Sequence, residues 1–229
     1  MLEQIKQQVY EANMELYHSK LVIFTWGNVS ARYDDYIVIK PSGVKYEIMK
    51  PSDMVVLDLD GNIIDGTFNP SSDTPTHIEL YKAWNDIKGI CHTHSNYATS
   101  FAQGGKCLKA FGTTHADYFY GDVPCTRELT KDETETDYEK NTGRVIVETF
   151  KNLNYNAVPS VLVKHHGVFT WGSSASNSVH NAIVLEEIAK MNYQTMMISQ
   201  NSEDLLQQYT LDKHYNRKHG KNAYYGQNG

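Results

Sequence analysis

The stretch GICHTHSNYATSFAQ, residues 89–103, passes from an apolar start through His92-Thr93-His94 into a run of small and aromatic residues, and Gly104 follows it. Together with Ile87 and Lys88, its first half reads as a short strand. Residues 95–103 read as a helix that Gly104 ends. Side chains alternate along a strand, so His92 and His94 share one face, roughly 7 Å apart at the backbone, while Thr93 faces the other way. From that separation two imidazoles can converge on one cation, each nitrogen about 2.0–2.1 Å from a zinc ion.

A third ligand is needed, and SVLVKHHG, residues 160–167, is where the sequence offers it. This is a β-branched strand running into a histidine pair, and His165 and His166 compete for the role. Gly167 lets the backbone crowd a metal site, which favours His166. Three imidazoles with open positions describe a catalytic divalent site rather than a closed structural one. His18, His77, His180 and His219 read as ordinary surface or capping residues.

Working outward, residues 2–17 place Ile5, Val9, Ala12 and Leu16 at helical spacing. LVIFTW (21–26) and YIVIK (36–40) read as strands, and MVVLDLDGNIIDG (54–66) as a hairpin about a two-residue turn at Asp60-Gly61. In SDTPTHIELYKAW, Thr74 suits a helix N-cap and Pro75 the first helical position. RELTKDETETDYEKNTG (127–143) is charged and exposed, with Thr130 and Glu133 spaced as a capping box. Residues 177–191 form a long amphipathic helix, and residues 204–220 another, stopped by Gly220. Strands, hairpins and helices are mixed without repeat or linker, so we expect one domain, residues 1–229, in which helices cover a sheet.

The 229 residues suffice for a real core without disulfides. A net charge of −6 argues against nucleic acid or an anionic membrane as the main partner, although a local pocket can still take a small anion. No stretch approaches a membrane span. Glu3, Lys6 and Glu11 stand where a signal peptide needs an apolar run. Cys91, Cys107 and Cys125 are an odd, unclustered set, so we expect a reducing, cytoplasmic setting with no disulfide framework.

WGNVSAR, IKPSGV and NPSSDTP are three small polar segments with turn chemistry. Ser71 and Ser72 sit just before a predicted helix N-terminus, where free N–H groups and the helix dipole favour phosphate. Lys40 supplies a point charge, and the turn at Ser42-Gly43 can aim N–H groups inward. Beside a metal site, they make a phosphorylated substrate the natural expectation.

GNVSAR, KPSGV, SSDTPTH, HTHSNYATSFAQ, GTTHADYFYG, YE..TG, HHGVFTWG and AYYGQ, in that order and spacing, resemble the L-ribulose-5-phosphate 4-epimerase branch of the class II aldolase/epimerase family, from MLE to Gln227. The resemblance implies an α/β sandwich around a central, largely antiparallel sheet, and a homotetramer with active sites between subunits. It places His92, His94 and His166 as metal ligands, most naturally for Zn²⁺ with Mn²⁺ as the other option. Asn28, Lys40, Ser42, Gly43, Ser71 and Ser72 become the phosphate cradle. Asp73 matches a residue near the metal that is Asp in the epimerases and Glu in the related aldolases. Asp117 and Tyr225 match the acid/base pair, the tyrosine coming from a neighbouring subunit, while Thr113, Glu139 and His214 line or support the site. Cys91, where an aliphatic residue is common, and the extra imidazole of His165 depart from the pattern.

The chemistry implied is inversion at C4 of a phosphorylated ketopentose. The C4 proton is not acidic, but the C4 hydroxyl lies β to the ketone, so removing its proton lets C3–C4 break in a retro-aldol step. Dihydroxyacetone enediolate and glycolaldehyde phosphate result. A metal acts as Lewis acid for the C2 and C3 oxygens, and the aldehyde re-adds through its other face. Two acid/base groups on opposite sides suit this, and because tyrosine has a pKa near 10 a cation such as His214 or the metal must favour its phenolate. A class II aldolase acting on a sugar such as L-fuculose 1-phosphate would use the same sites. A non-enzymatic domain like the adducin head would instead show a degraded histidine triad.

Overall fold

The computed structural model describes residues 2–200 and 204–225, so Met1 and the Gly226-Gln227 end of the last motif lie outside the described residues. Its elements run α1 (Leu2–His18), β1 (Asn28–Tyr33), β2 (Tyr36–Ile39), β3 (Val55–Asp58), β4 (Ile63–Asp65), α2 (Thr74–Ala83), β5 (Gly89–Thr93), α3 (Asn96–Gln103), α4 (Thr113–Ala116), α5 (Lys131–Glu135), α6 (Tyr138–Thr149), β6 (Ser160–Leu162), β7 (Val168–Gly172), α7 (Ala175–Ile198) and α8 (Gln208–His219). The strands form one seven-stranded sheet in the order β4-β3-β2-β1-β5-β7-β6. Every pairing within it is antiparallel. This is the helix-covered sheet expected. Among the described residues no helix is long and apolar enough to cross a membrane, and all three cysteines are free.

Alternation splits the core into two layers. Val29, Val38, Val56 and Cys91 pack with Ile5, Val9, Ala12 and Leu16 of α1 and with Val179 and Ala182 of α7. On the opposite face Ile37, Ile90, Phe169 and Trp171 join Ile78, Leu80, Tyr81 and Trp84 from α2 and its end, and Ile146 of α6. The second layer is locked by rings: Trp84 stacks on Tyr155 at 4.6 Å between centroids and meets Trp171 at 4.7 Å.

Several local expectations are corrected. LVIFTW is not a strand. Lys20 and Phe24 adopt left-handed φ values of 62° and 56°, only Val22 of the run is buried, and Ile23, Phe24 and Trp26 are exposed. The place beside β5 goes instead to Asn28–Tyr33, read from sequence as a turn; its polar Asn28 and Ser30 are buried because each finds side-chain partners. The hairpin holds, but its connection is longer than two residues, with the Asp58 carboxylate accepting from the N–H groups of Asp60 and Asn62 at 2.9 and 2.8 Å. Asp73, not Thr74, is the N-cap of α2. The Thr130–Glu133 capping box is present, yet residues 127–143 break into two helices and the second buries Asn141, Thr142 and Gly143.

The register sets the position of the site. Asn28 opens β1 opposite His92, and His92 pairs in turn with Phe169 of β7. Ser30 pairs with Ile39, so Lys40 leaves β2 at the same edge. The sheet therefore delivers Asn28, Lys40, His92, His94 and the His166-Gly167 turn to one end of four adjacent strands.

Candidate metal centre

The imidazoles of His92, His94 and His166 meet there. Ring centroids lie 4.9 Å apart for His92–His94, 4.9 Å for His92–His166 and 5.0 Å for His94–His166. One nitrogen of each lies within 4.8 Å of the others. The His92 ring stacks on Phe169 at 4.2 Å between centroids, and His94 lies one residue past the end of β5. His165 does not join them. It has a left-handed φ of 63° and turns its ring to Glu128, 3.6 Å away. Gly167 is where backbone meets the rings: a Cβ there would lie 3.2 Å from both His92 Cε1 and His94 Cδ2.

Burial lowers the pKa of His94 to about 4, with the His92 ring adding to it, and that of His166 to about 3, with His92 and His94 adding. Both rings are neutral at physiological pH. Burial works against the charge of Asp73, but the neighbouring imidazoles, His92 first, and the Asn28 amide outweigh it and hold the carboxyl below its usual range. Its Oδ2 accepts from Asn28 Nδ2 at 2.7 Å and stands 3.9 Å from His92 Nε2.

A cavity of about 560 Å³ is lined by the triad and Asp73, and by Asn28, Lys40, Ser42, Gly43, Ser71 and Ser72. The cradle is stitched together by backbone, Ser71 N–H donating to Lys40 O at 3.0 Å and Ser42 N–H to Asn69 O at 2.9 Å. Gly43 takes a left-handed φ of 67°, which favours glycine. Lys40 is buried, and its ammonium reaches the carbonyls of Thr25 and Pro41 at 3.4 and 3.3 Å and lies 4.8 Å from the centroid of the Tyr46 ring. Burial pushes the lysine pKa down to about 8. Among the described residues no carboxylate pairs with this buried cation, which leaves its charge able to take an anion. Glu139 lines the same cavity.

Thr113, Asp117, His214 and Tyr225 do not line it. They lie around α4 and α8. Asp117, at the end of α4, takes a two-pronged contact from Arg217, Nε at 2.9 Å and Nη2 at 2.6 Å, and His214 Nδ1 is 3.1 Å from its Oδ1. Burial raises the Asp117 carboxyl and these hydrogen bonds lower it further, so it sits below the usual carboxylate range. Tyr225 is exposed, with Arg217 Cζ 4.9 Å and Lys218 Nζ 4.5 Å from its ring centroid. The cations beside Tyr225 are therefore Arg217 and Lys218, whereas His214, expected there, serves Asp117. Thr113 is exposed at the first turn of α4.

Residues 7–193 match the model of the Class II Aldolase and Adducin N-terminal domain family. The chain belongs to that family. Its fold is shared with an L-fuculose 1-phosphate aldolase at a TM-score of 0.73 and 24% identity, over 93% of this chain and 95% of that one. L-fuculose 1-phosphate aldolase from Glaciozyma antarctica PI12 gives 0.76 at 17% identity, over 94% of this chain and 81% of that one. YgbL from Klebsiella pneumoniae gives 0.73 at 20%, over 93% and 98%.

The histidine cluster of this family member fits a divalent cation by its own chemistry. His92 Nδ1 lies 2.9 Å from the Val168 carbonyl, so that nitrogen carries the proton and Nε2 presents a lone pair. His94 Nε2 faces it at 3.0 Å. Three imidazole nitrogens converging beside a carboxylate oxygen form a donor set suited to Zn²⁺ or Mn²⁺.

The sequence misjudged or passed over three residues here. His77 is fully buried, its Nδ1 2.7 Å from Ser30 Oγ, which in turn lies 2.8 Å from Tyr81 OH. Burial drops its pKa to about 3. The only hint was its place one helical turn beyond Asp73. Tyr138 lines the cavity with its hydroxyl 3.4 Å from His166 Nδ1. Burial first, then Asp73 and Glu139, pushes that hydroxyl above the usual tyrosine range. Arg217 had no signal beyond a basic helix end.

Proposed function

We propose that this chain is a metal-dependent L-ribulose 5-phosphate 4-epimerase that forms D-xylulose 5-phosphate by reversible cleavage of C3–C4. The observation that carries the reading is one cavity holding the imidazole triad and the Lys40 cradle, with the short acid Asp73 between them. A phosphate on one side and an ion on the other is what a phosphorylated ketose needs, and an intact triad speaks against a non-enzymatic binding role.

His92, His94 and His166, with Asp73 beside them, would hold the ion, Zn²⁺ by preference. A bound divalent cation supplies Lewis-acid stabilisation of the charge that cleavage leaves on the ketone fragment. Lys40, Asn28, Ser71 and Ser72 hold the phosphate while the aldehyde turns about it. The C4 hydroxyl proton passes to a base, C3–C4 breaks, and its electron pair moves onto the former ketone as the enediolate. Re-addition to the other aldehyde face returns the proton from the opposite side.

Asp117 and Tyr225 take these two roles. Both stand outside the cavity, and Arg217 links them on one chain, so in this reading a neighbouring copy brings them together to the site. That arrangement accords with a homotetramer having its sites between subunits, in a reducing cytoplasm.

An aldolase reading is favoured by one observation, the shared fold with L-fuculose 1-phosphate aldolases. The two separate by products. Purified protein, stripped with chelator and resupplied with Zn²⁺ or Mn²⁺, is offered each sugar. Formation of D-xylulose 5-phosphate from L-ribulose 5-phosphate supports the epimerase. Release of dihydroxyacetone phosphate from L-fuculose 1-phosphate, with no epimerisation, overturns it.

A further inference from the structure

His166 stands in a turn rather than on a strand, its backbone N–H donating to Val163 O at 3.0 Å. His92 is oriented by a peptide carbonyl inside the sheet, 2.9 Å from its Nδ1. The third imidazole has no such peptide partner among its hydrogen bonds in the described residues; the group at its Nδ1 is the Tyr138 hydroxyl, at 3.4 Å, with the two rings 5.9 Å apart. Tyr138 is the first residue of α6, a helix that packs along α2 and is tied to it by Thr76 Oγ1 donating to Glu139 O at 2.6 Å. Since α2 begins beside Asp73, the phenol is mounted on the same rigid pair of helices that fixes the carboxylate.

A neutral imidazole has one N–H and one lone pair, and the partner of one nitrogen settles which is which. With a hydroxyl at Nδ1, Nε2 is the nitrogen left to face His92 and His94. If Nδ1 carries the proton and the phenol oxygen accepts it, the Nε2 lone pair is turned to the shared centre. Ligating histidines in general depend on such a partner, and its loss weakens a metal by about 10–100-fold.

We propose that Tyr138 is the positioning residue of the third imidazole, its hydroxyl oxygen accepting from His166 Nδ1–H so that Nε2 faces the cation. This rests on the metal-dependent reading above but not on the identity of the sugar. At 3.4 Å the contact is long for a hydrogen bond, so its worth is measured by removing the oxygen and keeping the ring.

The test is Tyr138→Phe in the full chain, stripped of metal and titrated with Co²⁺ against a chromophoric chelator, with the visible ligand-field spectrum recorded. The expected result is an affinity about 10–100-fold below wild type, an altered spectrum, and an unchanged melting temperature of the metal-free protein. A ring that only packs against His166 is preserved by phenylalanine, so wild-type affinity and spectrum overturn the assignment. No sugar enters the measurement. Wild-type protein that binds Co²⁺ yet leaves L-ribulose 5-phosphate untouched refutes the epimerase and leaves Tyr138 standing. Wild-type protein that binds no divalent cation refutes both.

Discussion

Gly167→Ala puts one methyl group against the triad. The new Cβ would lie 2.7 Å from Thr93 O and 3.2 Å from both His92 Cε1 and His94 Cδ2. The backbone has little room to retreat: Gly167 O accepts from Val163 N–H at 2.8 Å, and the next residue, Val168, is paired with Thr93 in the ladder. Overpacking of this kind costs roughly 1–3 kcal/mol, and at this length each kcal/mol lowers Tm by roughly 2–4 °C. The rings must also yield by a few tenths of an ångström, and metal–ligand distances tolerate only about 0.2 Å. We therefore expect a fall in Tm of several degrees and, separately, a loss of metal affinity of about 10–100-fold, the range seen when ligand orientation is disturbed. Differential scanning fluorimetry on stripped protein reads the first, and Zn²⁺ competition with a chelator reads the second. Gly112→Ala is the control, because a Cβ there meets nothing within 4 Å and φ is −144°. Gly167→Ala with wild-type metal affinity would show that the three rings are not held against this peptide as described.

Lys40, depressed to about 8, is protonated below that pH and neutral above it. Phosphate binding should thus weaken as pH rises through about 8, by up to tenfold per unit, seen as a rising KM; Lys40→Met should raise KM throughout and erase that limb. Folding has the opposite sign. Between about 8 and the unfolded value near 10.4 the unfolded chain holds more protons, so stability rises with pH there, and Lys40→Met should abolish the rise in urea melts. Asp117→Asn should cut turnover while leaving metal affinity intact. Coexpressed with a His92→Asn chain, it should regain about a quarter of wild-type activity if each site draws its triad from one copy and Asp117 from the next; no recovery would place both halves in one chain. Glu186 caps α3, its carboxylate oxygens accepting from Tyr97 and Ala98 N–H, both at 2.9 Å. Glu186→Ala should cost about 1–3 kcal/mol, and an unchanged Tm would contradict the cap.

How much of this was legible follows from what kind of force placed each residue. The two-residue period placed His92 and His94 on one face, and the glycine after His166 chose it over His165. Both readings depend only on local geometry. Strand β1 was invisible because Asn28 and Ser30 are poor strand formers that tolerate burial only through partners on α2 and its N-terminal turn, more than 40 positions away. LVIFTW failed in the opposite direction. Its Thr25 and Trp26 line the cavity, with the Trp26 ring 6.3 Å from that of His94, and its Val22 enters the core, instead of pairing in the sheet. His77 and Tyr138 fall inside quoted motifs that say nothing of their roles, and Arg217 falls in none; tertiary packing makes them neighbours of the triad or of Asp117.

The two halves of the proposed site are built on different foundations. The triad and cradle issue from four paired strands, with the main core on both sides of the sheet. Asp117 instead sits against a separate small cluster, Ala110, Ala116 and Leu211, with Leu206 packed beside it. Its carboxylate is already occupied by Arg217 and His214, which keep it charged but also shield it. In the proposed reading, a base so occupied takes a proton only once Arg217 shifts, and the Tyr225 ring lies against that same guanidinium, 4.9 Å from its Cζ. In the proposed reading the site is complete only when a neighbouring copy brings Asp117 and Tyr225 to the cavity, so activity depends on assembly while the metal cluster does not. A concentration series should then show activity per chain falling in step with dissociation, while metal affinity, fixed by the sheet, stays constant.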